Sequence, residues 1–458
     1  MLKKNDVITL KIEDITNLGF GVARHEGIVV FVSDTVPEDE ITAKIIKVKD
    51  RFAVARCEGY IKRSPLYDGT RCQNTKCHSC AYKALSYEDE LKIKRASIKS
   101  AFEKAGIRDI SVEEVYGSPV IFGYRNKAQY PVSTDRQGNI KIGFYAPKSH
   151  NVCDACDCPL APSEFAAMLN FLKEKIKEYG ISTYDEESGK GLLRHIYLRR
   201  SETTGEILLT FVINGNSLPH AESLVKDICD SFPSVCGILL NINKADTNVI
   251  LGDKWITLFG KDYITDTLCG VKLKITAPSF YQVNRGVAEA IYKKACELAE
   301  LGPDDSLLDL YCGAGSIGLS MAKSVRELIG IEIIESAVEC AKYNAEANGI
   351  TNARFFVGDA KNTEGLLARA EGELMRKIAP DVVILDPPRA GCDEELIKFV
   401  SRLSPRKIVY ISCNPQTLAR DIARFNPLGY SCDKVMGYDM FPMTGHVESL
   451  VCLTKQTN

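Results

Sequence analysis

Residues 306–324 read SLLDLYCGAGSIGLSMAKS. An apolar, strand-like run leads into Gly313, Gly315 and Gly318, and a helical pattern follows. Glycines at a strand-to-helix turn let the backbone approach a ligand closely. The next stretches repeat the theme: ELIGIEIIESAVECAKYNAEANG (327–349), ARFFVGDA (353–360), DVVILDPPRAG (381–391) and KIVYISCNP (407–415). Apolar strands that end in Gly, Asp or Cys loops and alternate with helices predict a parallel, doubly wound α/β sheet of Rossmann-like type over residues 276–458.

A glycine turn of this kind serves a dinucleotide equally well, and three carboxylates narrow the choice. Glu332 ends the strand after the turn, at the distance expected of an acid that takes ribose hydroxyls. Asp359 ends FFVGD, where an adenine contact falls, and Asp386 ends VVILD. Acids at three successive strand ends suit a ligand with ribose, adenine and a cationic group. S-adenosylmethionine, with its sulfonium and ammonium, is such a ligand. A pyrophosphate prefers an uncluttered helix N-terminus. Each acid taken alone is equally a helix cap; the ordered set is poorly explained that way.

DPPRAG (386–391) and SCNP (412–415) follow consecutive strands at the same edge. Asp-Pro-Pro alone fits N-methylation, where an aromatic after the prolines stacks on the base, but Arg389 takes that place. Cys413 is then a candidate nucleophile; the alternative is a buried structural thiol. Carbon 5 of uracil is a poor nucleophile until a thiolate adds at carbon 6 and produces an enolate. After methylation a base must remove the carbon 5 proton before the thiol leaves. The segment YDMFPMTGHVESLVCLTK (438–455) offers His446 and Glu448 for that task.

Working outward, 458 residues are too many for one ordinary core. No apolar run approaches the ~18–20 residues of a membrane helix, and MLKKNDVITLKIED shows no apolar segment typical of a signal peptide. With 17 cysteines, an odd number, this suggests a reducing cytoplasm, where clustered cysteines act as metal ligands or catalysts. Net charge is −2, so a nucleic-acid partner requires local basic patches. Residues 41–64 carry seven Lys/Arg against Asp50 and Glu58. The first ~60 residues alternate in short strands with turn signals between them, as in a small barrel. A cysteine-rich stretch, a basic helical segment and a mixed α+β region fill the middle.

FYQVN (280–284), DLYCGAGSIGL, DPPRAG, SCNP and GHVE occur in that order, and the whole chain resembles the RumA/TrmA-type RNA uracil-5-methyltransferases. YRNKAQYPV (124–132) resembles their central-domain motif. The resemblance implies an OB-like TRAM domain over 1–62, a mixed α+β central domain over 63–275 and a class I S-adenosylmethionine-dependent methyltransferase domain over 276–458. It implies Cys413 as nucleophile and Glu448 as base. It also implies cofactor contacts at Gln282, Tyr311, Glu332 and Asp386, with Asp359 and Gly313 completing the candidate set. The TRAM domain points to 23S ribosomal RNA as partner rather than tRNA, with no membrane and no obligate protein partner.

RCQNTKCHSC (71–80) and NVCDACDCPL (151–160) carry six of the cysteines. By the resemblance Cys72, Cys77, Cys80 and Cys158 hold a [4Fe–4S] cluster, although the first gap is one residue shorter than the family's usual spacing. Zinc bound by Cys77, Cys80, Cys153 and Cys156, or no metal, are the alternatives. Arg125, Lys127, Arg194 and Arg199 are candidate phosphate contacts; interior ion pairs are the alternative for the last two. Two rival functions stand beside the methyltransferase. One is a radical methylthiotransferase, which expects C-x3-C-x2-C and a C-terminal TRAM. The other is a non-catalytic RNA-binding factor.

Overall fold

The computed structural model of the chain describes residues 2–74, 77–147, 149–358, 365, 371–372 and 377–456. The first layer is built from β1 (Val7–Lys11), β2 (Asp14–Ile15), β3 (Gly21–His25), β4 (Ile28–Ser33), β5 (Glu40–Val48) and β6 (Phe52–Lys62), ordered β1-β5-β6-β4-β3-β2. Alternate residues point inward, as the period of a strand requires. Ala23, Val30, Val32, Ile41, Ala43, Ile45, Ala53 and Ala55 share one core. Strands β1 and β3, not neighbours in the sheet, also touch, which curls it toward a barrel.

Helix α1 (Tyr87–Lys104) follows the cysteine-rich stretch. Ser86 caps it by accepting the Asp89 amide, and Glu88, Asp89 and Glu90 occupy the first turn, where the helix dipole favours negative charge. Its buried stripe is Glu90, Lys94, Ile98, Ala101 and Phe102. β7 (Ser111–Val112) comes next.

The middle of the chain forms a sheet ordered β10-β9-β8-β11-β12-β13-β14. Its strands are β8 (Lys127–Thr134), β9 (Ile140–Tyr145), β10 (Val152–Asp154), β11 (Leu193–Arg200), β12 (Ile207–Ile213), β13 (Val235–Ile242) and β14 (Lys254–Gly260). Helices α2 (Ser163–Glu178) and α3 (Ala221–Ser231) contribute to its core.

A hairpin, β15 (Tyr263–Leu268) and β16 (Val271–Thr276), leads into the doubly wound part. There α4 (Arg285–Ala299), β17 (Ser306–Leu310), α5 (Ser316–Met321), β18 (Glu327–Glu332), α6 (Glu335–Ala347), β19 (Ala353–Val357) and β20 (Val382–Leu385) alternate. They continue as α7 (Glu394–Leu403), β21 (Lys407–Ser412), α8 (Pro415–Phe425), β22 (Tyr430–Ser431), β23 (Lys434–Tyr438) and β24 (Glu448–Lys455). The sheet order is β19-β18-β17-β20-β21-β24-β23-β7, parallel from β19 to β21, with β24 antiparallel to β21. β17 and β20 are buried throughout, because helices cover both faces.

The sheet also recruits residues from the expected middle of the chain. Ile98, Phe102, Val112 and Val115 pack in one core with Leu308, Val383 and Leu418. Ile264, Leu268, Leu273 and Ile275 pack in another with Val287 and Leu307. Segments 87–115 and 263–276 therefore share cores with the doubly wound sheet, although the sequence grouped them with the middle region. Among the described residues no helix is long and apolar enough to cross a membrane.

Candidate active site and cysteine cavity

The glycine turn sits at the carboxyl end of β17. Tyr311, Gly313 and Gly315 all take positive φ there, at 66°, 54° and 81°. The Gly313 amide donates to Glu332 at 3.1 Å and the Ile334 amide to the other oxygen of Glu332 at 2.9 Å. Glu332 thus braces the turn from the neighbouring strand. Asp309, which sequence reasoning passed over inside the apolar run LLDL, accepts the Gly318 amide at 3.0 Å. A Cβ on Gly318 would lie 2.7 Å from that carboxylate, so glycine is needed there. Burial pushes the Asp309 carboxyl up to about 8, helped by Asp386 and Glu332. Asp386, at the end of β20, is pushed up to about 7 by burial. Gln282 is buried, and its carbonyl accepts the Asn126 side chain at 2.9 Å. Asp359 lies outside the described residues.

Cys413 and Glu448 are brought together by strand register. Ser412 pairs with Ser449 across antiparallel β21 and β24. The residue after the first and the residue before the second therefore stand at the same level. Glu448 is 4% exposed, and its carboxyl is pushed up to about 8 by burial and by Asp386, with Arg389 opposing. The half-buried Cys413 thiol is pushed up to about 11 by burial, then by Glu448 and Asp386, again opposed by Arg389. Arg389 is thus the cation common to Cys413 and Glu448. His446, the other candidate base, is held down at about 4 by burial and by Arg389, Lys94 and Arg125.

The loops are stitched by α8. Asn414 caps it by accepting the Gln416 amide at 3.1 Å, and its amide nitrogen donates to the Arg389 carbonyl at 3.1 Å. Thr417 donates to the same carbonyl at 3.3 Å. These bonds hold DPPRAG against SCNP. The resulting cleft, of about 160 Å³, is walled by Arg389, Cys413, Asn414 and His446, with Ser97 of α1 and Asn17 of the barrel layer.

A second cavity, of about 300 Å³, is lined by Cys72, Cys77, Cys80 and Cys158 together with Arg71 and Arg125. The Cys80 thiol is pushed up to about 12 by burial and by Cys158, Cys72 and Cys77. Buried without a hydrogen-bond partner are Nε and Nη1 of Arg71 and Nε of Arg125. Cys156 instead turns toward the Ile142 carbonyl, 3.5 Å away. Among the described residues no three His, Cys, Asp or Glu side chains converge on a point suited to a single metal ion.

Two expected RNA contacts are corrected. Arg199 is 1% exposed and donates to the Tyr197 hydroxyl at 2.8 Å and to the Ala277 and Ser279 carbonyls at 3.2 and 2.5 Å. Arg194 is also buried and donates to the Asn243 and Ala245 carbonyls at 3.1 and 2.8 Å. Both sit on β11, an interior strand between β8 and β12 that is buried from Leu193 to Arg199. Arg125 and Lys127 are half-buried, and burial pulls the Lys127 amine down to about 8.

Comparison with known proteins bears on the family and the fold. The TRAM domain family matches residues 2–57, and the family described as tRNA (Uracil-5-)-methyltransferase matches residues 236–456. An uncharacterized RNA methyltransferase of Streptococcus pyogenes serotype M3 is 39% identical over 100% of this chain and 98% of its own length. Another from Halalkalibacterium halodurans is 38% identical over 99% of this chain and 98% of its own. The solved tRNA (uracil-54, C5)-methyltransferase of Pyrococcus abyssi, in complex with S-adenosyl-L-homocysteine, superposes with a TM-score of 0.76 at 29% identity. It covers 98% of this chain and 100% of that one. With sequence similarity running the full length and a shared fold, the chain belongs to the RNA (uracil-5-)-methyltransferase family.

Proposed function

We propose that this protein methylates carbon 5 of a uridine in RNA, with Cys413 as nucleophile and Glu448 as base. The observation that carries the reading is the Cys413–Glu448 juxtaposition across β21 and β24, beside Asp386 and Arg389. S-adenosylmethionine supplies the methyl group; Gln282, Tyr311, Gly313, Glu332, Asp386 and Asp359 are the residues that would hold it. A cation beside Asp386 favours the ionised forms of Asp386, Asp309 and Glu448, which turns Glu448 from an acid into a base. Arg389 favours the Cys413 thiolate. Thiolate addition at carbon 6 converts the ring to an enolate, and carbon 5 takes the methyl group. Glu448 then removes the carbon 5 proton, the carbon–sulfur bond breaks and the double bond returns. His446 is too weak a base at about 4 to compete.

RNA is the proposed partner, and 23S ribosomal RNA the proposed substrate. Lys47, Lys49, Arg51 and Lys62 stay exposed on the barrel layer beside exposed Phe52 and Tyr60, a pairing of cations and rings suited to single-stranded RNA. tRNA is the second reading. The Pyrococcus tRNA enzyme matches 98% of this chain, barrel residues included, so the barrel by itself does not separate the two substrates. We infer a [4Fe–4S] cluster at Cys72, Cys77, Cys80 and Cys158. Cys thiolates hold such clusters, and these four, which line one cavity, would be its ligands. The unpartnered guanidinium nitrogens of Arg71 and Arg125 suit its negative charge.

The test is to incubate the protein and S-adenosylmethionine with 5-fluorouridine-substituted 23S and tRNA transcripts. A covalent adduct lost in Cys413→Ala supports the nucleophile, and the transcript that is trapped names the substrate. An adduct that survives Cys413→Ala overturns the assignment.

A further inference from the structure

The loop between β23 and β24 leads into Glu448, the first residue of β24, and its anchors come from far away in sequence. Lys94, fully buried on α1, donates to Asp439 at 2.6 Å, to the Phe441 carbonyl at 3.2 Å and to Glu90 at 2.8 Å. Glu90, equally buried, accepts the Met443 amide at 2.6 Å and Arg71 at 2.7 Å. Arg71 also donates to the Tyr82 carbonyl at 3.0 Å, and the Tyr82 amide donates to the Met443 carbonyl at 2.9 Å. Met443 itself holds a left-handed φ of 67°, a conformation that persists only where its surroundings impose it.

Arg71 precedes Cys72, and Tyr82 lies two residues after Cys80. One end of the cysteine-bearing segment thus holds the loop directly, through Tyr82, and the other holds it through Glu90. Tyr438 pairs directly with Glu448 across β23 and β24, so a shift at the adjoining Asp439 is passed to Glu448. A buried ion network of this kind contributes little net stability compared with apolar packing, and its best-attested use is to fix register.

We propose that Arg71, Glu90, Lys94 and Asp439 form a positioning chain through which the cysteine-lined cavity sets the place of Glu448, and thereby the rate of product release. This rests on the assignment of Cys413 and Glu448 above. None of the four touches the reacting atoms; they act through the loop at 439–448. The cavity end of the chain is Arg71, which lines the cavity beside Cys72 and whose Nε and Nη1 are buried there without a hydrogen-bond partner.

The test compares Arg71→Gln, Arg71→Lys and Asp439→Asn with the parent protein. Adduct formation on 5-fluorouridine RNA requires no carbon 5 proton removal, so it should stay within about twofold. Release of methylated ordinary RNA should slow by about tenfold or more in Arg71→Gln and Asp439→Asn, since a base misplaced by about 1 Å costs up to a hundredfold. Covalent methylated RNA should accumulate, and Arg71→Lys should restore release. Amide hydrogen exchange over residues 439–448 should quicken in Arg71→Gln and in Cys72→Ser, without RNA present. Unchanged exchange overturns the proposal, as does a parallel fall in adduct formation and release. If Glu448→Gln accumulates no covalent intermediate, the assignment of the base has failed, and the exchange measurement alone then decides the positioning chain. Arg71→Gln changes a side chain at the cavity edge and keeps the test open if Asp439→Asn does not fold.

Discussion

Gly445 and Asn17 meet backbone to backbone: a Cβ placed on Gly445 would lie 2.2 Å from the Asn17 carbonyl oxygen. The barrel layer thus docks on the loop that carries His446 and leads into Glu448, with no side chain between them, and Asn17 becomes a wall of the cleft at Cys413.

Gly445→Ala should force the barrel loop away from the cleft. The expected stability loss is about 1–3 kcal/mol, typical of overpacking against backbone that cannot move aside cheaply. Adduct formation should slow as well, because the cleft loses the wall at Asn17. Thermal unfolding and the rate of 5-fluorouridine trapping read the two effects separately. A variant with the parent's trapping rate would show that Asn17 plays no part in the cleft.

Stability should depend on pH through the buried acids. Asp309, Asp386 and Glu448 titrate near 8, 7 and 8, above the 3.8, 3.8 and 4.5 of free side chains. Between about pH 5 and pH 8 the folded chain therefore holds more protons than the unfolded one, and stability falls as pH rises through that window. Thermal unfolding of the ligand-free protein from about pH 5 to about pH 8.5 should show a falling melting temperature. Over the same range the affinity for S-adenosylmethionine, which carries a sulfonium charge, should gain on that for S-adenosylhomocysteine, which does not. A constant ratio of the two affinities would remove the carboxylates from the cationic site.

Arg199→Met should destabilise the protein by about 1–3 kcal/mol, because it leaves the buried Ser279 carbonyl without its donor, while the Tyr197 hydroxyl and the Ala277 carbonyl keep only their bond to each other. The salt dependence of RNA binding should not change. Lys49→Ala or Arg51→Ala, on the exposed barrel face, should do the opposite, leaving the melting temperature alone and lowering the salt slope by about one for each charge removed. A salt slope altered by Arg199→Met would restore that residue as an RNA contact.

Cys158→Ser should lose iron and Cys156→Ser should keep it, in protein purified without oxygen. Cys158 lines the cavity with Cys72, Cys77 and Cys80, whereas Cys156 faces the Ile142 carbonyl. Zinc in place of iron, lost with Cys156→Ser, would favour the other cysteine set.

The parts of the fold legible in the sequence are those with a simple period. The barrel strands alternate apolar and polar residues, and the doubly wound strands are apolar runs ending in acids or Cys413. Other parts were concealed by satisfied polarity. YEDELKIKRASIKSAFEK looks like a solvated basic helix, yet Glu90 and Lys94 are fully buried, their charges met by Arg71 and Asp439. Arg199 likewise looks like a phosphate ligand until carbonyls from residues 277 and 279 are found around it. Asp309 vanishes into LLDL because a single acid does not interrupt an apolar strand; only the Gly318 amide reveals its role. In each case the partner lies elsewhere in the chain, where local pattern does not reach.

The Lys94–Asp439 pair spans 345 positions, and this span bears on how the protein is made. Barrel strands within residues 7–62 pair with one another and need no later strand to complete their sheet. Domains made first also fold first. Lys94 finds Glu90 within α1, but its second carboxylate, and the Met443 amide that Glu90 accepts, arrive only with residues 439–443. A chain cut short before residue 439 lacks Asp439, the Phe441 carbonyl and the Met443 amide, so the buried Lys94 and Glu90 lose every partner that this loop supplies.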